Sequence, residues 1–342
     1  MEIIEKKIRK DWKEFILINN YKMQVNILNF GGIITKILTP NKYGKMENVV
    51  LGYKNYTDYE NDPFYFGSII GPVAGRIPQA KFRLNGKSYQ LEPNEGDNLL
   101  HSGVIGFHNK MWDVKKSQNS DRVGIKLFYT LDDEKFPGKI HVEVSYTLTN
   151  NNDLILDYNA KSTKDTIITL TNHTYFNLSG NLKDTIHNHY VNFESDSILE
   201  LDDTLIPTGN KLDTTNTTFD FRKSRKLGDG LSNNHLQHKL VQNGYDHYFI
   251  FHKKDENNII VREPTSGRKL TITTDQPGMV MYTANTLEEG LELTERTSGK
   301  YLGVCFETQA SPASLFYKDL PNILLKKDEV YKQKTTFSFE IE

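Results

Sequence analysis

Apolar and polar residues alternate one for one along several long stretches of this chain, and few folds accept that pattern. Ile140, Val142, Val144, Tyr146 and Leu148 alternate with His141, Glu143, Ser145, Thr147 and Thr149, so a strand here turns one apolar face to a core. The turn residues Asn150 to Asp153 follow, then Leu154, Leu156, Tyr158 and Ala160 resume the alternation, and the two runs read as a hairpin. Val123 to Leu131 repeats the pattern upstream, and Phe337, Phe339 and Ile341 repeat it near the C-terminus. Asn85-Gly86, between the runs 82–84 and 87–91, is a type I′ turn signal because both positions tolerate positive φ. Long helical periodicity is absent. Short helices are expected near 56–61 and 311–320, the second limited by Pro312 and Pro321. Strands without intervening helices point to an all-β fold of antiparallel sheets packed face to face. With no repeat, linker or composition shift, residues 1–342 read as a single domain.

Composition narrows the function classes. Lys and Arg total 42 against 44 Asp and Glu, a formal net charge of −2, which gives no electrostatic reason to expect nucleic acid or an anionic membrane as partner. No run of 18 apolar residues offers a membrane span. The charged N-terminal stretch lacks the apolar core of a signal peptide. Cys305 is the single cysteine, so no intrachain disulfide is possible and a cytoplasmic location is expected. The basic run Arg222 to Lys226 lies among Gly, Asp and Asn and reads as a solvated loop.

Five stretches depart from the alternation and crowd polar residues between Gly, Pro and aromatics. Gly71 to Pro78 fixes an unusual backbone path with two glycines and two prolines around Arg76, whose guanidinium can hold vicinal hydroxyls or a carboxylate; an exposed surface turn is the other reading. Asn98 to Gly103 carries His101. In Leu170 to Leu178, His173 has Asn172, Thr174 and Tyr175 around it; an imidazole near aromatics can stay close to a neutral pKa and pass protons, or be a structural strand histidine. Asn243 to Phe249 places Asp246 after a tight turn. In Gly303 to Pro312 a strand puts Gly303, Cys305, Glu307 and Gln309 on one face and Val304 and Phe306 on the other, a carboxylate among small residues that suits a ligand-facing site. Between the last two, the strand around Tyr282 offers an aromatic plate for a sugar ring.

Other chemistries find no support in the sequence. It has no Gly-x-Ser-x-Gly elbow, P-loop or dinucleotide fingerprint. His187 and His189 lack further metal ligands at suitable spacing, and no metal is expected. Cys305 has no positive neighbour to lower its pKa and reads as a small filler.

Taken in order, Gly75-Arg76-Ile77, Leu100-His101, the stretch Asn172 to Leu178, Tyr245-Asp246-His247 and Glu307-Thr308-Gln309 resemble the aldose 1-epimerase family along nearly the whole chain. The resemblance implies a large twisted β-sandwich with an open groove across one sheet, a monosaccharide substrate and no cofactor. It implies Glu307 as general base and His173 as general acid. Arg76, His101 and Asp246 would bind sugar hydroxyls, with Gln309 and Tyr282 near the ring. Two departures stand out. Ser102 follows His101 where members commonly carry Gly, and Ala310 to Ser314 replaces a Pro-Asp segment.

The chemistry can be written from those groups: ring opening at the anomeric carbon needs one base and one acid, and closure runs the same step backwards. A glycosidase would need a second carboxylate at a defined separation, and the sequence shows no second carboxylate motif beside Glu307. Two alternatives share the architecture. One is an epimerase of sugar 6-phosphates, which needs a basic pocket beyond Arg76. The other is a carbohydrate-binding protein without turnover. Monomer and homodimer are both compatible with the sequence.

Overall fold

The computed structural model describes residues 1–252 and 257–342, and the alternating runs become the long strands of one nine-stranded antiparallel sheet. Arg122–Leu131, Ile140–Thr149 and Asp153–Ser162 pair consecutively, and Val330–Ile341 then lies between Asp153–Ser162 and Arg268–Thr274. Leu148 pairs with Leu154 across the turn, as the hairpin reading requires. A five-stranded meander, from Glu2–Lys7 to Met46–Asn48, occupies the N-terminal part in sequence order. A six-stranded sheet runs Tyr175–Phe176, Val304–Thr308, Gly278–Tyr282, Asp246–Ile250, Ser197–Leu201, Pro207–Asp213.

The period of two decides which side chains meet. Val144, Tyr146, Leu156, Leu270 and Phe337 of the large sheet join Phe249, Met279, Met281, Val304 and Phe306 of the six-stranded sheet in one buried cluster. Burying side chains of this size stabilises by about 1.5–3 kcal/mol each. Their neighbours Tyr248, Val280, Tyr282, Glu307 and Gln309 point from the other face of the six-stranded sheet into a cavity. One face of that sheet is core and the other is available for function.

Local expectations fare unevenly. Asn85 and Gly86 take φ of 49° and 79° in a two-residue turn between Lys81–Leu84 and Lys87–Gln90. Tyr56–Asn61 is a 3₁₀ helix. The turn opened by Ser311, whose hydroxyl caps it, ends at Leu315 rather than continuing to 320. Two short α-helices, Gly228–Leu231 and Leu236–Leu240, had no signal in the sequence. The basic run is not all loop: Arg225–Lys226 pairs with Tyr190 and Val191 as the last strand of the large sheet, and Arg222 forks onto Asp220.

A buried ion pair ties the sheets together behind the site. Arg268 Nη2 donates to Glu47 Oε2 at 3.0 Å, and the same guanidinium donates to the carbonyls of Pro40, Thr39 and Leu178. It thereby joins the meander, the large sheet and the end of the Asn172 to Leu178 stretch.

Candidate active site

Glu307 is the fourth residue of the strand Val304–Thr308, opposite Val280 of Gly278–Tyr282. Its carboxylate is withdrawn from solvent, and Oε2 has no hydrogen-bond partner. Desolvation pushes its pKa well above the ordinary value; the charge of Asp246 adds to the rise and Arg76 opposes it.

His173 follows the short strand Thr171–Asn172. Its backbone N–H donates to Ser68 O at 2.9 Å, and its carbonyl accepts from Gly67 N at 3.0 Å. The Nδ1 edge lies 3.5 Å from Cys305 Sγ, and Nε2 lies 3.4 Å from Glu307 Oε1. The rings of Tyr175, His101 and Tyr65 surround it at 5.1, 5.3 and 5.8 Å. The expectation of a near-neutral pKa does not hold in this setting, because burial brings His173 down to about 3. The other polar residues of the stretch are scaffold: Asn172 Nδ2 donates to Gly67 O, and Asn177 Nδ2 donates to Asp184 O and Leu302 O.

His101 adopts a left-handed φ of 49°. Its Nδ1 accepts from Gly75 N at 3.1 Å. Burial holds the ring neutral, so the remaining proton resides on Nε2 and His101 meets the cavity as a donor. Arg76 lies between two carboxylates: Nε and Nη2 donate to Glu95 at 2.6 and 2.8 Å, and Nη1 reaches Asp246 Oδ2 at 3.4 Å. Asp246 pairs with Tyr282 on the next strand, and the Tyr282 hydroxyl bonds Thr286 Oγ1 at 2.8 Å. Gln309 Nε2 donates to Ala74 O at 3.4 Å, and its Oε1 is unpartnered.

All seven sequence-selected residues therefore line a single cavity of about 330 Å³. The sequence reading missed Tyr65, which stands edge-on to both His101 and His108 at 4.8 Å, and Glu95. The polar turn from Asn94 to Asn98 was the available signal for Glu95. His101, His173 and Glu307 each bring a potential ligand atom within 4.8 Å of the others, but the Nε2–H tautomer of His101 suits a hydroxyl oxygen better than a cation. His187 and His189 are engaged elsewhere, with Thr185 Oγ1 and with Leu178 N.

A buried carboxyl, an imidazole and further polar side chains gathered in one groove of a β-sandwich can be compared with known proteins. The model of the family "Aldose 1-epimerase" matches residues 14–338. The chain belongs to the aldose 1-epimerase family. Among relatives of this family, the galactose mutarotase of Sus scrofa is 37% identical over 94% of this chain and 92% of its own. The aldose 1-epimerase of Streptococcus thermophilus is 32% identical over 99% and 97%. The solved galactose 1-epimerase of Lactobacillus acidophilus NCFM superposes with a TM-score of 0.86 at 30% identity, covering 99% of this chain and 98% of that one. The all-β aldose epimerase architecture implied by the motifs is the one observed, and the chain is a carbohydrate isomerase.

Proposed function

We propose that the groove interconverts the α and β anomers of free aldoses such as D-galactose and D-glucose, with Glu307 as base and His173 as acid. The observation that carries this is the 3.4 Å contact between His173 Nε2 and Glu307 Oε1 on the cavity wall. Burial raises the carboxyl and depresses the imidazole, so when the pair holds one proton, that proton rests on Glu307. The working arrangement, carboxylate and imidazolium, contains the same single proton moved across the contact. No exchange with bulk water is needed to arm the site. A sugar whose hydroxyls replace lost solvation around the charged pair favours that shift.

In the forward step the Glu307 carboxylate takes the proton of the anomeric hydroxyl, and the His173 imidazolium protonates the ring oxygen. The bond between C1 and the ring oxygen breaks to give the open aldehyde. Rotation about C1–C2 presents the other carbonyl face, and the two groups return their protons as the ring closes. Acid and base end as they began. Arg76, His101 and Asp246 are placed to hold hydroxyls, with Gln309 and Tyr282 beside the ring.

The sugar 6-phosphate alternative is disfavoured by charge. The cavity is lined by the carboxyls of Glu95, Asp246 and Glu307 against the one guanidinium of Arg76, and Glu95 already occupies that guanidinium. A binder without turnover has no use for a buried acid–base pair with oppositely perturbed pKa values. The same reading takes residues 1–342 as one domain and the chain as a cytoplasmic monomer or homodimer. It is supported by a core cluster shared by both large sheets and a buried free thiol at Cys305.

Polarimetry of freshly dissolved α-D-galactose and α-D-glucose tests the proposal. Acceleration over buffer that disappears in Glu307→Gln supports it; equal acceleration by the variant removes Glu307 from the chemistry.

A further inference from the structure

The loop from Asn94 to His101 grips Gly75 and Arg76 from two sides. On one side, His101 N donates to Gly75 O and Gly75 N donates to His101 Nδ1, each at 3.1 Å. On the other, Glu95 takes Nε and Nη2 of Arg76. Glu95 is itself held at the base of a turn, with Asn98 N donating to its carbonyl at 2.9 Å. Asn94 Oδ1 accepts from Leu100 N at 2.7 Å, which fixes the turn to the strand that delivers His101. Arg76 is well enclosed, with 16% of its side chain exposed, whereas Glu95 at 34% reaches the rim of the cavity.

A guanidinium in a cleft is a strong receptor for carboxylates and phosphates, because its planar fork matches two oxygens at once. Here that fork is filled by the protein's own carboxylate. The remaining edge, Nη1, reaches Asp246 Oδ2 at 3.4 Å, beside the space where sugar hydroxyls would lie. An incoming anion would have to displace Glu95 and then face its charge together with that of Asp246.

We propose that Glu95 is a positioning and specificity-determining residue: it aims Arg76 at neutral hydroxyls and makes the groove discriminate against aldoses that carry a carboxylate or phosphate. The inference rests on Arg76 serving as a sugar-binding group. Selectivity of this kind needs a repulsive element as well as an attractive one, and Glu95 supplies it at the entrance.

The test compares D-galactose with D-galacturonate as substrates of the full chain, in the wild type, Glu95→Gln and Glu95→Asp, with thermal unfolding recorded for each. Wild type favours galactose. In Glu95→Gln the KM for galactose rises about tenfold or more, the loss expected for a broken charged hydrogen bond, while kcat stays within about threefold because binding rather than chemistry is disturbed. The preference for galactose over galacturonate, as a ratio of kcat/KM, falls by about tenfold or more as the freed fork accepts the carboxylate. Glu95→Asp recovers part of both effects.

If Glu95→Gln instead lowers the unfolding temperature and changes both sugars alike, Glu95 only braces the loop and the proposal fails. Calorimetric binding of the two sugars gives the same comparison without turnover. A chain that binds but does not exchange anomers therefore refutes the catalytic reading alone, and an unchanged galactose-to-galacturonate binding ratio in Glu95→Gln refutes this one.

Discussion

His173 Nε2 lies 3.4 Å from Glu307 Oε1, and the two side chains are 5% and 3% exposed. A contact so thoroughly removed from water makes the two groups act as a unit, and the kinetics of their variants should show it.

Glu307→Gln and His173→Asn are each expected to lower kcat by about 10²–10⁴, the usual worth of a general acid or base. The double variant should lose little more than the worse single one, since either loss disables the pair. Thermal unfolding should stay at or above the wild-type temperature for Glu307→Gln, because a buried ionisable group tuned for catalysis is a liability to the fold. Multiplicative losses in the double variant would show two independent contributions.

The alkaline limb of kcat/KM should report loss of the proton held by Glu307 and lie above the ordinary carboxylate range. Asp246 raises the Glu307 pKa through its charge. Asp246→Asn should therefore move the limb to lower pH as well as weakening binding. A limb that stays in place while KM rises would assign Asp246 to binding alone.

Stability should fall as the solution is acidified, beginning near the pKa of an unfolded histidine. Burial holds His173 near 3 and His189 and His238 near 4, so these rings are neutral when folded and take up protons more readily when unfolded. The unfolded state then binds more protons between about pH 6.5 and the folded values, and stability declines as pH drops through that window. Glu47, lowered to about 2, adds a second loss below its unfolded pKa near 4.5. Calorimetric scans from pH 8 to pH 4 check this; an unfolding temperature that does not change between pH 7 and pH 5 would contradict it.

Arg268→Met removes the buried guanidinium from Glu47 and one donor from the carbonyls of Pro40, Thr39 and Leu178, the last of which keeps Ser266 Oγ. The expected cost is about 1–3 kcal/mol, the usual loss of hydrogen bonds to a charged group, because Lys183 and Lys45 still pair with Glu47. Pairing it with Glu47→Leu should recover part of the loss. Urea unfolding measures both, and the reading fails if the single variant costs less than the double.

The strands legible in the sequence are those whose packing imposes a strict period of two. Ile140–Thr149 and Asp153–Ser162 bury alternate residues along ten positions each, and nothing else competes for that pattern. Two-residue strands such as Arg225–Lys226 left no trace, since so short a ladder is imposed by its neighbours. The site was legible where whole stretches resembled a family. The contact of Glu95 with Arg76 was not, because it joins residues 19 apart through a turn whose direction depends on the folded neighbours. The pKa of His173 was misjudged for a related reason: the sequence showed aromatic neighbours but not how completely they exclude water.

Val330–Ile341 occupies the slot between Asp153–Ser162 and Arg268–Thr274, and that placement governs the order of assembly. While the chain is being made, those two strands must wait with open hydrogen-bonding edges for a partner encoded well over fifty positions after the nearer of them. Pairings this remote are slow to form, and unpaired edges invite other chains. The ribosome therefore exposes a nearly finished sheet with a gap at its centre, and trimming the C-terminal segment would leave the chain in that aggregation-prone state permanently.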